Sequence, residues 1–346
     1  MIALLLLLAN SFAGLCEDES LTLVPTRDGA AICMERHHGD GPPILLVHGI
    51  SANRHFWNLD PAHSLPIHLQ KKGFDVWNID LRGRGGATKN IDGQRLDRLW
   101  TIDDYGRYDI DAAIEQIFKS RPGERIGFVG HSLGGMALAS YLNERGDERL
   151  NAIVILASPM DFQHRDTLLK WASQAIDWNP FHIPVPFLSK IAALLPVVSG
   201  SIDRMIWNTK EMNPETRKKL MNKIVAPMTR NELKHISKSI HAGEYQEAKQ
   251  DRDHAKGLKN IDTPALFIAG RADQIVPVDR CLSYYEAIGS HIKSFVIAGE
   301  AWGFSYDYGH SDYTMSRAVQ TEIYPLISNW MNRYLNDNEG KSNQNK

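Results

Sequence analysis

The residues best placed to do chemistry lie in Gly130-His131-Ser132-Leu133-Gly134. A serine hydroxyl is a poor nucleophile at neutral pH and needs a base, a carboxylate to orient that base, and donors for the oxyanion it creates. The bare Gly-x-Ser-x-Gly pattern turns up by chance on the order of once in ten chains of this length, so its surroundings carry the argument. The apolar run 126–129 precedes it and Gly135-Met136-Ala137-Leu138-Ala139 follows. That context predicts a tight strand-to-helix turn with Ser132 at its tip, over a helix N-terminus that favours negative charge. The flanking Gly130 and Gly134 leave room for the crossing of strand and helix. Fourteen histidines make a histidine alone uninformative, but a nucleophile on such a turn is followed by its acid and then by its base. Asp273 closes Gly270-Arg271-Ala272-Asp273, just past the apolar run 264–269. His310 stands in Tyr308-Gly309-His310-Ser311-Asp312, just past the run 291–297. The 37 positions between them fit one helix and one strand. Asp161 is the rival acid, while Asp307 and Asp312 are close enough in sequence to touch His310. The oxyanion donors are expected to be the backbone N–H groups of Leu133 and Ile50, with Gly49 keeping the second backbone close and His48 bracing its loop. His131 should point away from the serine and serve the structure.

Those residues need a frame. Residues 21–25, 31–36, 43–47, 74–79, 125–129, 151–157, 265–269 and 291–297 read as short strands bounded by Gly, Pro or Asp. Their unbroken apolar character suggests burial on both faces, as in a parallel sheet. Helical spacing of apolar residues marks 108–118, 136–143, 282–287 and 315–335. The alternation predicts an α/β fold with a mostly parallel sheet and helices on both faces. It stops between about 161 and 257, a stretch with helical patterns only, so a helical cap inserted between two strands is expected there. The core is then 17–160 and 258–336, and 337–346 is a polar tail.

Composition narrows the class. With 39 basic and 41 acidic residues among 346, the chain lacks the basic excess of a nucleic-acid binder. Cys16, Cys33 and Cys281 lack metal-ligand spacing and cannot form a disulfide scaffold, although a Cys33–Cys281 bridge stays open. Residues 1–16, opening Met1-Ile2-Ala3 and then five leucines, read as a secretory signal without the usual basic start. A secreted or periplasmic protein is expected, the alternatives being a lipid anchor at Cys16 or a cytoplasmic protein.

These residues together resemble the α/β-hydrolase superfamily. The resemblance rests on Leu45-Leu46-Val47-His48-Gly49, Asp80-Leu81-Arg82-Gly83, Gly130–Gly134, Gly270–Asp273 and Gly309-His310. Within it the chain is most similar to the acid-lipase group and its bacterial relatives. Gly73-Phe74-Asp75-Val76-Trp77, the segment 104–114 and Tyr308–Tyr313 carry that likeness. Leu133 departs from the glutamine common after the serine there, and the cap shows no match. Polyester synthases are also relatives, but they use a cysteine where Ser132 stands, which favours hydrolysis over polymerisation.

The resemblance implies a serine hydrolase cleaving carboxylic esters of lipids or other apolar acyl groups through an acyl-enzyme. It implies no metal or organic cofactor. The alternatives are a thioesterase, amidase or peptidase with the same triad, or a non-catalytic binding protein of this fold. The expected partner is a small-molecule or lipid ester, not nucleic acid, and the oligomeric state is left open. The apolar, proline-containing stretch 181–198 would let the cap meet a lipid surface or a long acyl chain, or pack on the core.

Overall fold

The apolar runs pair into one eight-stranded sheet. The computed structural model describes residues 21–162, 207–208 and 212–336. The expected signal segment with Cys16, the polar tail and the parts of the insertion at 163–206 and 209–211, including the run 181–198, lie outside the described residues. The strands are β1 (Leu21–Pro25), β2 (Ala31–His37), β3 (Pro43–Val47), β6 (Asp75–Asp80), β7 (Ile126–His131), β8 (Leu150–Leu156), β9 (Ala265–Gly270) and β10 (Lys293–Ala298). A separate short ribbon holds β4 (Asn58–Asp60) and β5 (His63–Ser64). The sheet order is β1-β2-β6-β3-β7-β8-β9-β10. From β6 to β10 every neighbour is parallel, while β2 runs antiparallel to both β1 and β6.

Strand periodicity explains why these runs are apolar throughout. Leu45 and Val47 enter one core cluster, and Ile44 and Leu46 the other. Ile153 and Ile155 likewise oppose Val154 and Leu156. Alternate side chains point to opposite faces, and both faces are covered. One face carries α2 (Ile102–Asp104), a π-helical turn (Tyr105–Ile110), α3 (Asp111–Ser120) and α4 (Leu133–Arg145). The other carries α1 (Leu65–Lys71) and α10 (Ile323–Leu335). The single helix expected over 315–335 is two, α9 (Asp312–Met315) and α10. Ser316, extended at ψ 161°, ends α9, while Pro325 sits in the first turn of α10, where its missing N–H is tolerated.

Between β8 and β9 the described part of the insertion is helical: α5 (Pro214–Lys223), α6 (Arg230–Ala242) and α7 (His254–Gly257). After it α8 (Val278–Ala287) separates β9 from β10. The insertion returns to the core through buried polar contacts. Asp103 accepts from His254 Nε2 at 2.8 Å and from the Ala248 N–H at 2.8 Å. Glu232 serves two ends at once. One oxygen closes a capping box with Thr229 at the start of α6, and the other meets Arg84 and, at 2.8 Å, the Tyr105 hydroxyl. Asp161, the rival acid, joins Glu244 in an isolated β-bridge. No disulfide joins Cys33 and Cys281; both are buried thiols. No described helix is long and apolar enough to cross a membrane.

Arg84 and Glu232 are only 1% and 0% exposed. Removing one partner of a buried pair leaves a charge in a poor solvent. Glu232→Ala is therefore expected to lower the unfolding free energy by about 3–5 kcal/mol, read by urea denaturation. A loss under ~1 kcal/mol would mean that Arg84 finds water when its partner goes.

Candidate active site

Ser132 sits where β7 ends and α4 begins, with φ 51° and ψ −117°. A non-glycine residue in this region stores on the order of 1–3 kcal/mol and persists only where the surroundings over-determine it. Here they do. Its N–H donates to the Leu156 carbonyl of β8 at 2.8 Å, and its carbonyl accepts from Gly135 N at 3.0 Å. Space is the other constraint. A Cβ on Gly134 would lie 2.5 Å from the Val47 carbonyl oxygen, so any side chain would push α4 off β3. On Gly49 a Cβ would meet His131 Nδ1 at 2.8 Å and Ser132 Cβ at 3.2 Å.

The end of β9 delivers the carboxylate. Asp273 Oδ1 accepts the N–H groups of Ile275 (2.9 Å) and Val276 (2.8 Å), which leaves Oδ2 for His310 Nδ1 at 2.8 Å. His310 Nε2 lies 3.1 Å from Ser132 Oγ. With Nδ1–H donated to the carboxylate, Nε2 holds its lone pair toward the serine, the tautomer a base requires. The loops bearing acid and base are stitched together: Ala272 N donates to the Tyr308 carbonyl at 2.9 Å. All three side chains are almost entirely buried. Asp307 Oδ1 instead accepts from Glu300 N, and Asp312 Oδ2 from Gly309 N at 2.6 Å and Asn208 N at 2.8 Å.

The loop after β3 carries Ile50, and the preceding Gly49 lies against Ser132. His48 fixes this loop: Nδ1–H donates to the Gly49 carbonyl at 2.8 Å, and Nε2 accepts from Leu81 N at 3.2 Å. Asp80 fastens it from the next strand, accepting from Arg54 N (2.7 Å) and Gly86 N (2.8 Å) and pairing with the Arg54 guanidinium. Leu133 N–H is the first of α4 and has no carbonyl behind it within the helix. Among the described residues neither the Ile50 nor the Leu133 N–H donates to a protein acceptor.

His131 does more than the sequence suggests. Its Nε2–H donates to the backbone carbonyl of His310 at 2.8 Å while the ring stacks on Phe56 at 4.4 Å. It holds the histidine loop from below. Sequence reasoning missed this contact, because nothing local shows that the two loops meet. Burial, aided by the neighbouring His310, keeps the His131 pKa well below the usual imidazole value. Burial also lowers that of His48 to about 4, against the opposing pull of Asp80. Both rings stay neutral, so neither adds a cation beside the His310 imidazole. Among the described residues no group of three or more His, Cys, Asp or Glu is placed to hold a metal ion.

A family model described as alpha/beta hydrolase fold matches residues 42–313. Triacylglycerol lipase 2 of Arabidopsis thaliana is 24% identical, over 92% of this chain and 85% of its own. A poly(3-hydroxyalkanoate) polymerase subunit of Haloarcula marismortui is 21% identical, over 88% of this chain and 63% of its own. Among solved structures, an esterase from Thermogutta terrifontis superposes with a TM-score of 0.62 at 16% identity, covering 91% of this chain and 99% of that one.

The buried neutral histidines carry a pH signature. The unfolded chain takes up a proton at His48 as pH falls through about 6.5, whereas the folded chain does so only near 4. The stability this ring permits is thus complete above about pH 6.5, and about 3 kcal/mol of it is lost by pH 4. Urea midpoints measured from pH 7 to 4.5 should fall, and fall less steeply in His48→Gln. Equal slopes would show that His48 reaches solvent.

Proposed function

This chain belongs to the α/β-hydrolase fold family, related to lipases and esterases, and we propose that it is a serine hydrolase of carboxylic esters with apolar acyl groups. The observation that carries this reading is the unbroken contact from Ser132 Oγ through His310 to Asp273, at 3.1 and 2.8 Å, beside two N–H groups without a described acceptor.

Ser132 Oγ attacks the ester carbonyl as His310 Nε2 takes its proton. Asp273 holds the ring and stabilises the imidazolium. The carbonyl oxygen, now an oxyanion, accepts from Ile50 and Leu133 N–H, the second reinforced by the N-terminus of α4. His310 then gives its proton to the leaving alcohol, and an acyl-serine remains. Water, deprotonated by the same imidazole, attacks that ester and frees the acid. The preference for apolar acyl groups draws on the likeness to triacylglycerol lipase 2 and on the apolar run 181–198 within the insertion.

A panel of p-nitrophenyl esters from two to sixteen acyl carbons tests the reading. The protein should turn over the longer members, and Ser132→Ala should lose at least ~10³-fold in kcat/KM with its fold intact. Ester turnover that survives the substitution would falsify the nucleophile. If the insertion meets lipid, the rate on long-chain esters should rise abruptly as substrate passes its aggregation point. A single hyperbola running smoothly through that point would remove the lipid-surface part of the proposal.

A further inference from the structure

The insertion does not merely sit above the site; it is hydrogen-bonded to the loop that carries the proposed oxyanion donor. Ser51 follows Ile50 directly and has φ 54°, a left-handed conformation that costs a non-glycine residue free energy. No glycine relieves it. Two hydrogen bonds from the insertion hold it instead: Ala226 N donates to the Ser51 carbonyl at 2.9 Å, and Ser51 Oγ donates to the Ala226 carbonyl at 2.6 Å. Two residues on, Asn53 Nδ2 donates to the Lys223 carbonyl at 2.7 Å. Lys223 ends α5 and Ala226 lies just beyond it, so one short segment of the insertion grips the loop at two points. The helix behind that segment is anchored in turn, with Lys219 Nζ 2.9 Å from Asp60 Oδ2.

We propose that Ser51 is a positioning residue, coupling the seating of the insertion to the oxyanion hole. This rests on the ester-hydrolase reading above. The Ile50 N–H belongs to the peptide joining Gly49 to Ile50, one residue before Ser51; the Ser51 backbone angles set the path by which the chain leaves Ile50, and the two bonds to Ala226 hold those angles. When the segment 223–226 lifts, Ser51 relaxes toward negative φ and the Ile50 N–H swings off the line of the developing oxyanion. When it is seated, the donor is fixed before substrate arrives, which is what makes such a donor effective. The hydroxyl of Ser51 never touches substrate; it acts through the backbone of its neighbour. Asn208 makes a parallel link on the base side, with its N–H on Asp312 and its side chain on the Asp307 carbonyl at 3.0 Å. Both catalytic loops therefore register where the insertion lies.

The test uses Ser51→Ala, which deletes one of the paired bonds, and Ala226→Pro, which deletes the other from the insertion side. Each is assayed, after active-site titration with a fluorophosphonate, on a short soluble p-nitrophenyl ester. Two inhibitors accompany it: an alkyl trifluoromethyl ketone, whose adduct with Ser132 is an oxyanion, and a long-chain alcohol, which is not. Each variant should lose roughly tenfold in kcat with KM within about twofold, the size of one displaced hydrogen bond. Ketone affinity should fall by the same factor as kcat/KM, and alcohol affinity should hold. Variants that melt earlier but keep kcat and ketone affinity per titrated site would show a structural role only and overturn the proposal. If Ser51→Ala does not fold, Ala226→Pro decides alone. A parent protein that hydrolyses no ester and takes up no fluorophosphonate would defeat the ester-hydrolase reading itself, and this inference with it. An active parent with unaffected variants defeats the inference alone.

Discussion

The site depends first on how closely α4 approaches the ends of β3 and β7. Gly134 rests against the Val47 carbonyl and Gly49 against Ser132 and His131, with no room for a methyl group at either contact. This closeness forces the serine into its strained turn. It also sets the loop after β3, which carries Ile50, against the turn that carries Ser132 and Leu133. The parallel direction of the strands from β6 to β10 does the rest. It gathers the ends of β3, β7, β9 and β10 at one edge, so loops far apart in sequence meet there.

Much of what surrounds the triad is buried and polar, and its protonation states follow from burial. His48 and His131 each spend their donor on a backbone carbonyl and remain neutral. Arg84 and Glu232 remain paired, because separating them would strand a charge. Such contacts add little net stability compared with apolar packing, but they admit few alternative arrangements. They fix the loops as units, so a small shift in one is felt at the serine.

The strands were legible because a doubly covered sheet demands unbroken apolar runs, and the positions of 43–47, 126–131 and 265–270 follow from that alone. Ser132, Asp273 and His310 were legible as candidates because each follows a strand end, in an order that the turn at Ser132 requires. Other features were not. The break at 316–322 holds no glycine or proline, so apolar spacing read straight through it. The tie between His131 and the His310 carbonyl, and the grip of Ala226 on Ser51, join residues 179 and 175 positions apart. No local pattern encodes such contacts. The insertion is legible only as helical: its sequence shows an apolar run at 181–198, not which way an apolar face turns.

The order of the chain has a consequence in time. Ser132 and His310 are 178 positions apart, with the whole insertion between them. At the usual pace of synthesis Ser132 leaves the ribosome roughly ten to forty seconds before His310. Through that interval the nascent chain presents an ordinary serine, without the imidazole that would make it reactive. A chain ending anywhere in the insertion lacks His310, and the proposed mechanism then has no base for Ser132. The contact on which the proposed mechanism depends forms only after β10 and the loop beyond it have been made.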